Sequence, residues 1–195
     1  YEVILNNIEQ GTQTETSFTA SSLPAGNHEI KVRSQDLVGN WSSFGSHTIY
    51  IDTQAPDSPN ILSKTPTNNL KPTWTWNSDK DAIEYEVTLN NDIQVIQTSN
   101  VFKPQFDLSE GNNEIKVRAK DNVGNYSTFA VNVVNIDATA PNIPNPSASS
   151  PTSNNQPTWN WAEIADAVSY EVTLDEIIQG TQINTSFKSF ELSDG

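Results

Sequence analysis

A twelve-residue stretch of this chain occurs twice. Glu29–Asn40 reads E-I-K-V-R-S-Q-D-L-V-G-N and Glu114–Asn125 reads E-I-K-V-R-A-K-D-N-V-G-N, nine of twelve positions being identical at an offset of 85 residues. Other stretches recur at offsets of 84 or 85 residues. Tyr1-Glu-Val-Ile-Leu returns as Tyr85-Glu-Val-Thr-Leu and again as Tyr170-Glu-Val-Thr-Leu; Pro72-Thr-Trp-Thr-Trp76 returns as Pro157-Thr-Trp-Asn-Trp161; Ile51-Asp-Thr-Gln-Ala-Pro56 returns as Ile136-Asp-Ala-Thr-Ala-Pro141. A repeat this long is a tandem domain, since solenoid units run to about 20–50 residues.

The Ala-Pro pairs at 55–56 and 140–141 each follow an apolar strand pattern and precede a second proline, Pro59 or Pro144. Proline stiffens the chain and removes a ladder donor, so these stretches mark linkers. The organisation expected is therefore the C-terminal part of one domain over 1–55, a complete domain over 56–140 and the N-terminal part of a third over 141–195. On this reading the sequence is an excerpt from a longer array.

Within the complete domain, short alternating runs are separated by Asn, Ser, Asp and Gly clusters. Strands are expected near Ile61–Ser63, at Thr73–Trp76, Tyr85–Leu89, Ile93–Ile96, Val101–Leu108, Glu114–Ala119 and Tyr126–Ile136, with Pro104 interrupting the fifth. About seven strands in about 85 residues, with no helical period, read as an all-β, immunoglobulin-like sandwich. The core expected comprises Trp74, Trp76, Tyr85, Val87, Leu89, Phe102, Phe106, Leu108, Ile115 and Val117. Trp159 and Trp161 follow the same core-strand alternation, while Trp41, after a Gly-Asn turn, is expected to be partly exposed.

These residues resemble fibronectin type III and related bacterial immunoglobulin-like repeats. The carriers are Trp76, Tyr85-Glu-Val-Thr-Leu, and Leu108-Ser-Glu-Gly before Glu114-Ile-Lys-Val-Arg-Ala. Asp121-Asn-Val-Gly-Asn-Tyr-Ser and Ile136-Asp-Ala-Thr-Ala-Pro look more specifically like repeats of large bacterial surface adhesins and long secreted proteins. The resemblance implies tandem seven-stranded sandwiches joined by short Pro-containing linkers, at the cell surface or outside the cell. It departs from the type III pattern at His28 and Asn113, which stand where a tyrosine is usual, so the tyrosine-corner hydrogen bond is expected to be missing.

Composition narrows the function. With 24 acidic and 10 basic side chains the formal net charge is −14. Such a surface repels phosphate backbones, so nucleic acid is not expected as a partner. No apolar run is long enough to enter a membrane. There are no cysteines, which removes disulfides, thiolate zinc sites and a cysteine nucleophile.

Acidic residues instead suggest calcium, which takes six to eight oxygen ligands. In a seven-stranded sandwich two loops share a pole with the end of the preceding domain. The first junction would gather Asp52, Asp79, Asp81, Asp121 and Asn125; the second would gather Asp137, Glu163 and Asp166. The resemblance to adhesin repeats points the same way. The competing explanation is that Asp36 and Asp121 cap a tight turn by accepting backbone amides.

No catalytic constellation is expected. Glu84 and Glu86 would lie about 7 Å apart on one strand face, a glycosidase-like spacing, but Ser169 replaces Glu84 in the third copy. His28 and His47 have no equivalents in the next copy. Lys31 and Lys116 face away from the core, which argues against a Lys–Asn isopeptide bond. The partners expected are neighbouring repeats of the same chain, with any surface glycan or protein ligand met by other domains. The role expected is a structural extender of a surface or secreted adhesin. The alternatives are accessory modules of a secreted carbohydrate-active enzyme, or direct glycan or protein binding.

Overall fold

Trp74 and Trp76 alternate with threonine, so a strand there must turn both indoles to one side. That side is the centre of the best-formed part of the molecule. The computed structural model describes residues 1–77 and 79–192, and it is all-β. It divides into two compact units, Tyr1–Asp137 and Ala138–Gly195.

The first unit opens with β1 (Glu2–Leu5), β2 (Ile8–Thr12), β3 (Gly26–Arg33) and β4 (Gly45–Ile51). They form one antiparallel sheet of order β2-β1-β3-β4. It continues through β5 (Ile61–Leu62), β6 (Trp74–Trp76), β7 (Glu84–Leu89), β8 (Asp92–Gln97), β9 (Val101–Phe102), β10 (Gly111–Lys120) and β11 (Ala130–Ile136). These seven make two sheets, β5-β6-β9 and β11-β10-β7-β8. Between the sheets lie Trp74, Trp76, Tyr85, Val87, Leu89, Phe102, Ile115, Val117, Val134 and Ile136, all buried. Burying each large side chain contributes about 1.5–3 kcal/mol. Residues 1–51 repeat the four-stranded sheet, with β1, β2, β3 and β4 corresponding to β7, β8, β10 and β11.

Several expectations are corrected. The Val101–Leu108 run is a strand only over Val101–Phe102, because Pro104 ends the ladder. Phe106, expected in the core, is 78 % exposed, and Leu108 is half-buried. The last strand begins at Ala130: ahead of it Tyr126 makes only an isolated bridge to Lys120 and the Ser127 amide donates to the Ala119 carbonyl, and the ladder resumes at Ala130.

The corner hydrogen bond expected to be lost is rebuilt. Buried Asn113 donates from Nδ2 to the Ser109 carbonyl at 2.9 Å, four residues back, and its Oδ1 accepts from Asn90 Nδ2. In the other copy His28 Nε2 lies 2.8 Å from the Pro24 carbonyl, again four residues back, and Nδ1 meets Asn6 Nδ2. A short polar side chain thus does what tyrosine does elsewhere.

The second unit contains β12 (Thr158–Asn160), β13 (Tyr170–Leu174), β14 (Ile177–Gln182) and β15 (Ser186–Lys188), paired as β12-β15 and β13-β14. Its aromatic geometry copies the first unit. Trp159–Phe187 centroids lie 6.4 Å apart at 30° and Trp74–Phe102 centroids 6.2 Å apart at 32°. Trp161–Tyr170 and Trp76–Tyr85 are 5.4 and 5.5 Å apart at 66° and 67°. Among its described residues the second unit has no counterpart of β10 and β11. Trp159 and Trp161, expected to be buried, are accordingly only half-buried and line a cleft of 530 Å³ with Tyr170 and Phe187.

Candidate functional site: the pole of the 56–137 sandwich

The turn between β10 and β11 gathers a dense set of polar contacts. Asp121 Oδ1 accepts three backbone amides, from Val123 at 2.9 Å, Gly124 at 2.7 Å and Asn125 at 2.8 Å. Its Oδ2 accepts from Asn125 Nδ2 at 2.8 Å. Gly124 has φ +102°, a left-handed conformation that a side chain strains and glycine does not. Asp36 builds the same turn, accepting from Val38, from the Asn40 backbone and from Asn40 Nδ2.

The copies differ in what covers them. Asn125 Nδ2 also donates to the Asp52 carbonyl at 3.2 Å and the Gln54 carbonyl at 3.4 Å. Beyond them Pro56 and Pro59 are buried, and Ser58 Oγ donates to the Thr128 carbonyl at 2.9 Å. The linker therefore packs against the Asp121–Asn125 side of the turn, leaving Asn122, Val123 and Gly124 exposed; Asp121 is 3 % exposed where Asp36 is open to water.

The expected calcium ligands are placed as follows. Asp52, Asp121 and Asn125 are brought together, but Asp52 takes part through its main chain, while its Oδ1 accepts the Gln54 amide. Asp79 Oδ1 accepts the Asp81 amide, and Asp81 pairs with Lys80 at 3.8 Å. Asp137 lies at the end of β11, its amide donating to Thr67. Glu163 and Asp166 belong to the second unit, exposed in the segment between β12 and β13. Among the described residues no three His, Asp or Glu side chains converge as metal ligands.

The Asp121 carboxyl is held below the ordinary value of 3.8. Burial, the largest influence, pushes it up, but the side-chain and backbone hydrogen bonds of Asn125 and the amides of Val123 and Gly124 together outweigh it. Asp36 is lowered too, first by the Asn40 side chain. A depressed carboxyl contributes stability that is complete above its unfolded value and lost as pH falls through its folded one. Asp121→Asn should thus unfold at lower urea than the wild type at pH 6, the gap closing below about pH 4. A gap constant down to pH 2.5 would remove the charge from the account.

The outer face of β10 carries a device that sequence reading missed. Arg118 lies over the rings of Tyr126 at 4.1 Å and Phe129 at 4.7 Å while pairing with Glu86 at 2.7 Å. Arg33 lies over Trp41 at 4.6 Å and Phe44 at 4.7 Å and pairs with Glu2. A guanidinium over an aromatic face within about 6 Å is attractive, and more so when desolvated. Glu86, expected to be solvated, is buried beneath this stack. The signal was available: in both copies an aromatic residue follows the arginine at eight and at eleven positions. Trp41 is partly exposed, as expected.

Glu84 pairs with Lys120 at 3.2 Å, a hydrogen bond that holds the lysine above its ordinary 10.5. Both carboxylates of the glycosidase-like pair are thus engaged by cations. Lys116 Nζ meets Asn91 Oδ1 at 2.9 Å and Glu114 at 2.9 Å, and Lys31 meets Asn7 and Glu29. Asn91 and Asn7 are exposed, unlike the desolvated setting that amide condensation needs.

No family model matches the chain, and no curated protein matches it. Among solved structures it is similar to the fibronectin(III)-like modules of Clostridium thermocellum CbhA, at 17 % identity and TM-score 0.42 over 69 % of this chain and 77 % of that one. It is also similar to a structure titled FN3tt mut, at 20 % identity and TM-score 0.37 over 42 % and 97 %. A third is the Bacillus thuringiensis chitinase ChiA74, at 17 % identity and TM-score 0.40 over 72 % and 27 %. The chain spans 28 % of the length of the Clostridium perfringens spore cortex lytic enzyme SleM, another similar structure. The assignment of an all-β sandwich rests on this chain's own sheets.

Proposed function

We propose that this chain is a non-catalytic structural extender, a run of immunoglobulin-like modules that holds a binding or catalytic domain of a larger bacterial surface or secreted protein at a distance. The observation that carries the reading is the covered pole. One module's last strand leads into a linker that is hydrogen-bonded along the next module, while the charged side chains of the outer sheet face are engaged in stabilising that face. A row of such modules sets reach, and reach governs the effective concentration at which a distal domain meets its target.

Calcium enters this proposal as an outcome. Both oxygens of Asp121 already accept hydrogen bonds, so we infer a junction that holds without the ion. The chain should show the same hydrodynamic radius and urea midpoint in millimolar calcium and in chelator, and should leave a glycan array unlabelled. A calcium-dependent change in radius would restore an interdomain ion; retention on glycans would replace the extender by a binding module.

A further inference from the structure

The two Asp-x-x-Gly-Asn turns are nearly identical in sequence and internal hydrogen bonding, and the second is hydrogen-bonded to the segment that leads into its module. In both, the asparagine Nδ2 donates to the second oxygen of the aspartate. Only Asn125 Nδ2 also reaches the carbonyls of a preceding segment, at Asp52 and Gln54. That segment, Ile51-Asp-Thr-Gln-Ala-Pro56, recurs as Ile136-Asp-Ala-Thr-Ala-Pro141. The turn and the segment occupy opposite ends of the last strand: Asp121–Asn125 precedes β11, and Asp137 follows it at once.

We infer that the Asp-x-x-Gly-Asn turn is the receiving half of a module-to-module joint, and the Ile-Asp-x-x-Ala-Pro segment the inserting half. Recognition is by main-chain carbonyls. The asparagine amide donates to them, the buried prolines fix the path, and Ser58 ties the far end to Thr128. This explains why side chains within the segment vary, Thr53-Gln54 in one copy and Ala138-Thr139 in the other: bonds to backbone carbonyls do not depend on them. The aspartate preorganises the donor, since its Oδ2 fixes the amide of Asn125. With a receiving end and an inserting end at opposite poles, each module joins the next head to tail and in one orientation. The partner of this surface is another module of the same repeat. The covered turn is thereby a rotational lock, which a flexible linker of similar length would not provide.

The inference depends on the extender reading for its use, while its test reads the joint alone; a glycan-binding result would overturn that reading and leave the joint standing. The chain lacks cysteine, so labels can be placed at Ser46→Cys on β4 and Gln94→Cys on β8, both exposed. Electron–electron distance measurements on the doubly labelled full chain should give one narrow distribution. Asn125→Ala combined with Ser58→Ala should at least double its width. Asn40→Ala removes the same internal bond from the uncovered turn and should leave the width unchanged. Urea midpoints of all variants report whether the sandwich itself survives. Equal broadening by Asn40→Ala and by the Asn125 pair, or no broadening by the pair in a folded chain, overturns the joint.

Discussion

Trp74→Ala is expected to destabilise the 56–137 sandwich by about 3–5 kcal/mol, the range for removing a large aromatic from a closed core. Trp74 has no exposed surface and packs against Phe102 across the β6–β9 pair. The opposite wall is rigid, with Ile115 and Val117 of β10 held in a strand paired on both edges. The cavity therefore has little means to collapse. Domains of this size hold about 5–15 kcal/mol in total, so the loss is a large fraction of the margin. Trp74→Phe should cost much less. It keeps most of the ring volume and removes an indole N–H that donates no hydrogen bond within the protein, a group expensive to bury unpaired. Urea unfolding followed by circular dichroism, with hydrogen exchange at the Ile115 and Val117 amides, reads both. Trp159→Ala is the matched control, because the same ring in the second unit is half-buried. Should Trp159→Ala cost as much as Trp74→Ala, closure by β10 and β11 is not what gives Trp74 its weight.

That contrast also shows what was legible from residues alone. Period and alternation left Ile61, Ala119, Val134 and Ile136 unnamed but placed the strands and the other eight of the twelve buried core residues, because burial on one sheet face imposes a two-residue repeat wherever it occurs. They failed at Phe106, since alternation continues on paper through Pro104 although the ladder cannot. They failed at Thr128 and Phe129, which lie outside the strand although Tyr126 still bridges Lys120; the rings of Tyr126 and Phe129 meet Arg118, a contact visible in the spacing shared by the two copies but not in two-residue alternation. At the pole the sequence grouped Asp52, Asp79, Asp81, Asp121 and Asn125; hydrogen bonds join Asp52, Asp121 and Asn125, while Asp79 and Asp81 are engaged within their own loop. It could not show which atoms meet. A carboxylate saturated by backbone amides and one free to take a cation are the same letter in a sequence, and hydrogen-bond geometry alone separates them. The corner residue taught the converse: Asn113 looked like a loss because tyrosine was the expected donor, yet a shorter side chain reaches the same kind of carbonyl.

Arg118→Ala is the second large effect expected, about 2–4 kcal/mol. Three consequences combine. Glu86, 8 % exposed, loses the cation that pairs with it at 2.7 Å, and a buried carboxylate left alone is strongly destabilising. Tyr126 and Phe129 lose the guanidinium that lies over both rings. The apolar stem of the arginine goes as well. The value starts lower than the range of about 3–5 kcal/mol for a fully buried pair because the arginine side chain keeps 30 % of its exposure. Arg118→Lys should recover less than half: an ammonium restores the charge but cannot stack flat over two rings. Glu86→Gln in the Arg118→Ala background should be milder than Arg118→Ala alone, because it removes the stranded charge, and the double-mutant cycle should give a coupling of about 1–2 kcal/mol. Raising salt should change the wild-type midpoint little through this pair, since partly buried charges are screened less than surface ones. Full rescue by lysine, or a coupling near zero, would mean the rings and the carboxylate are held by the strands and not by Arg118. Arg33, with Trp41, Phe44 and Glu2 in the same arrangement, offers the independent repeat of the measurement: Arg33→Ala should weaken the first sheet in the same direction, because both copies place the guanidinium between the ladder and two rings.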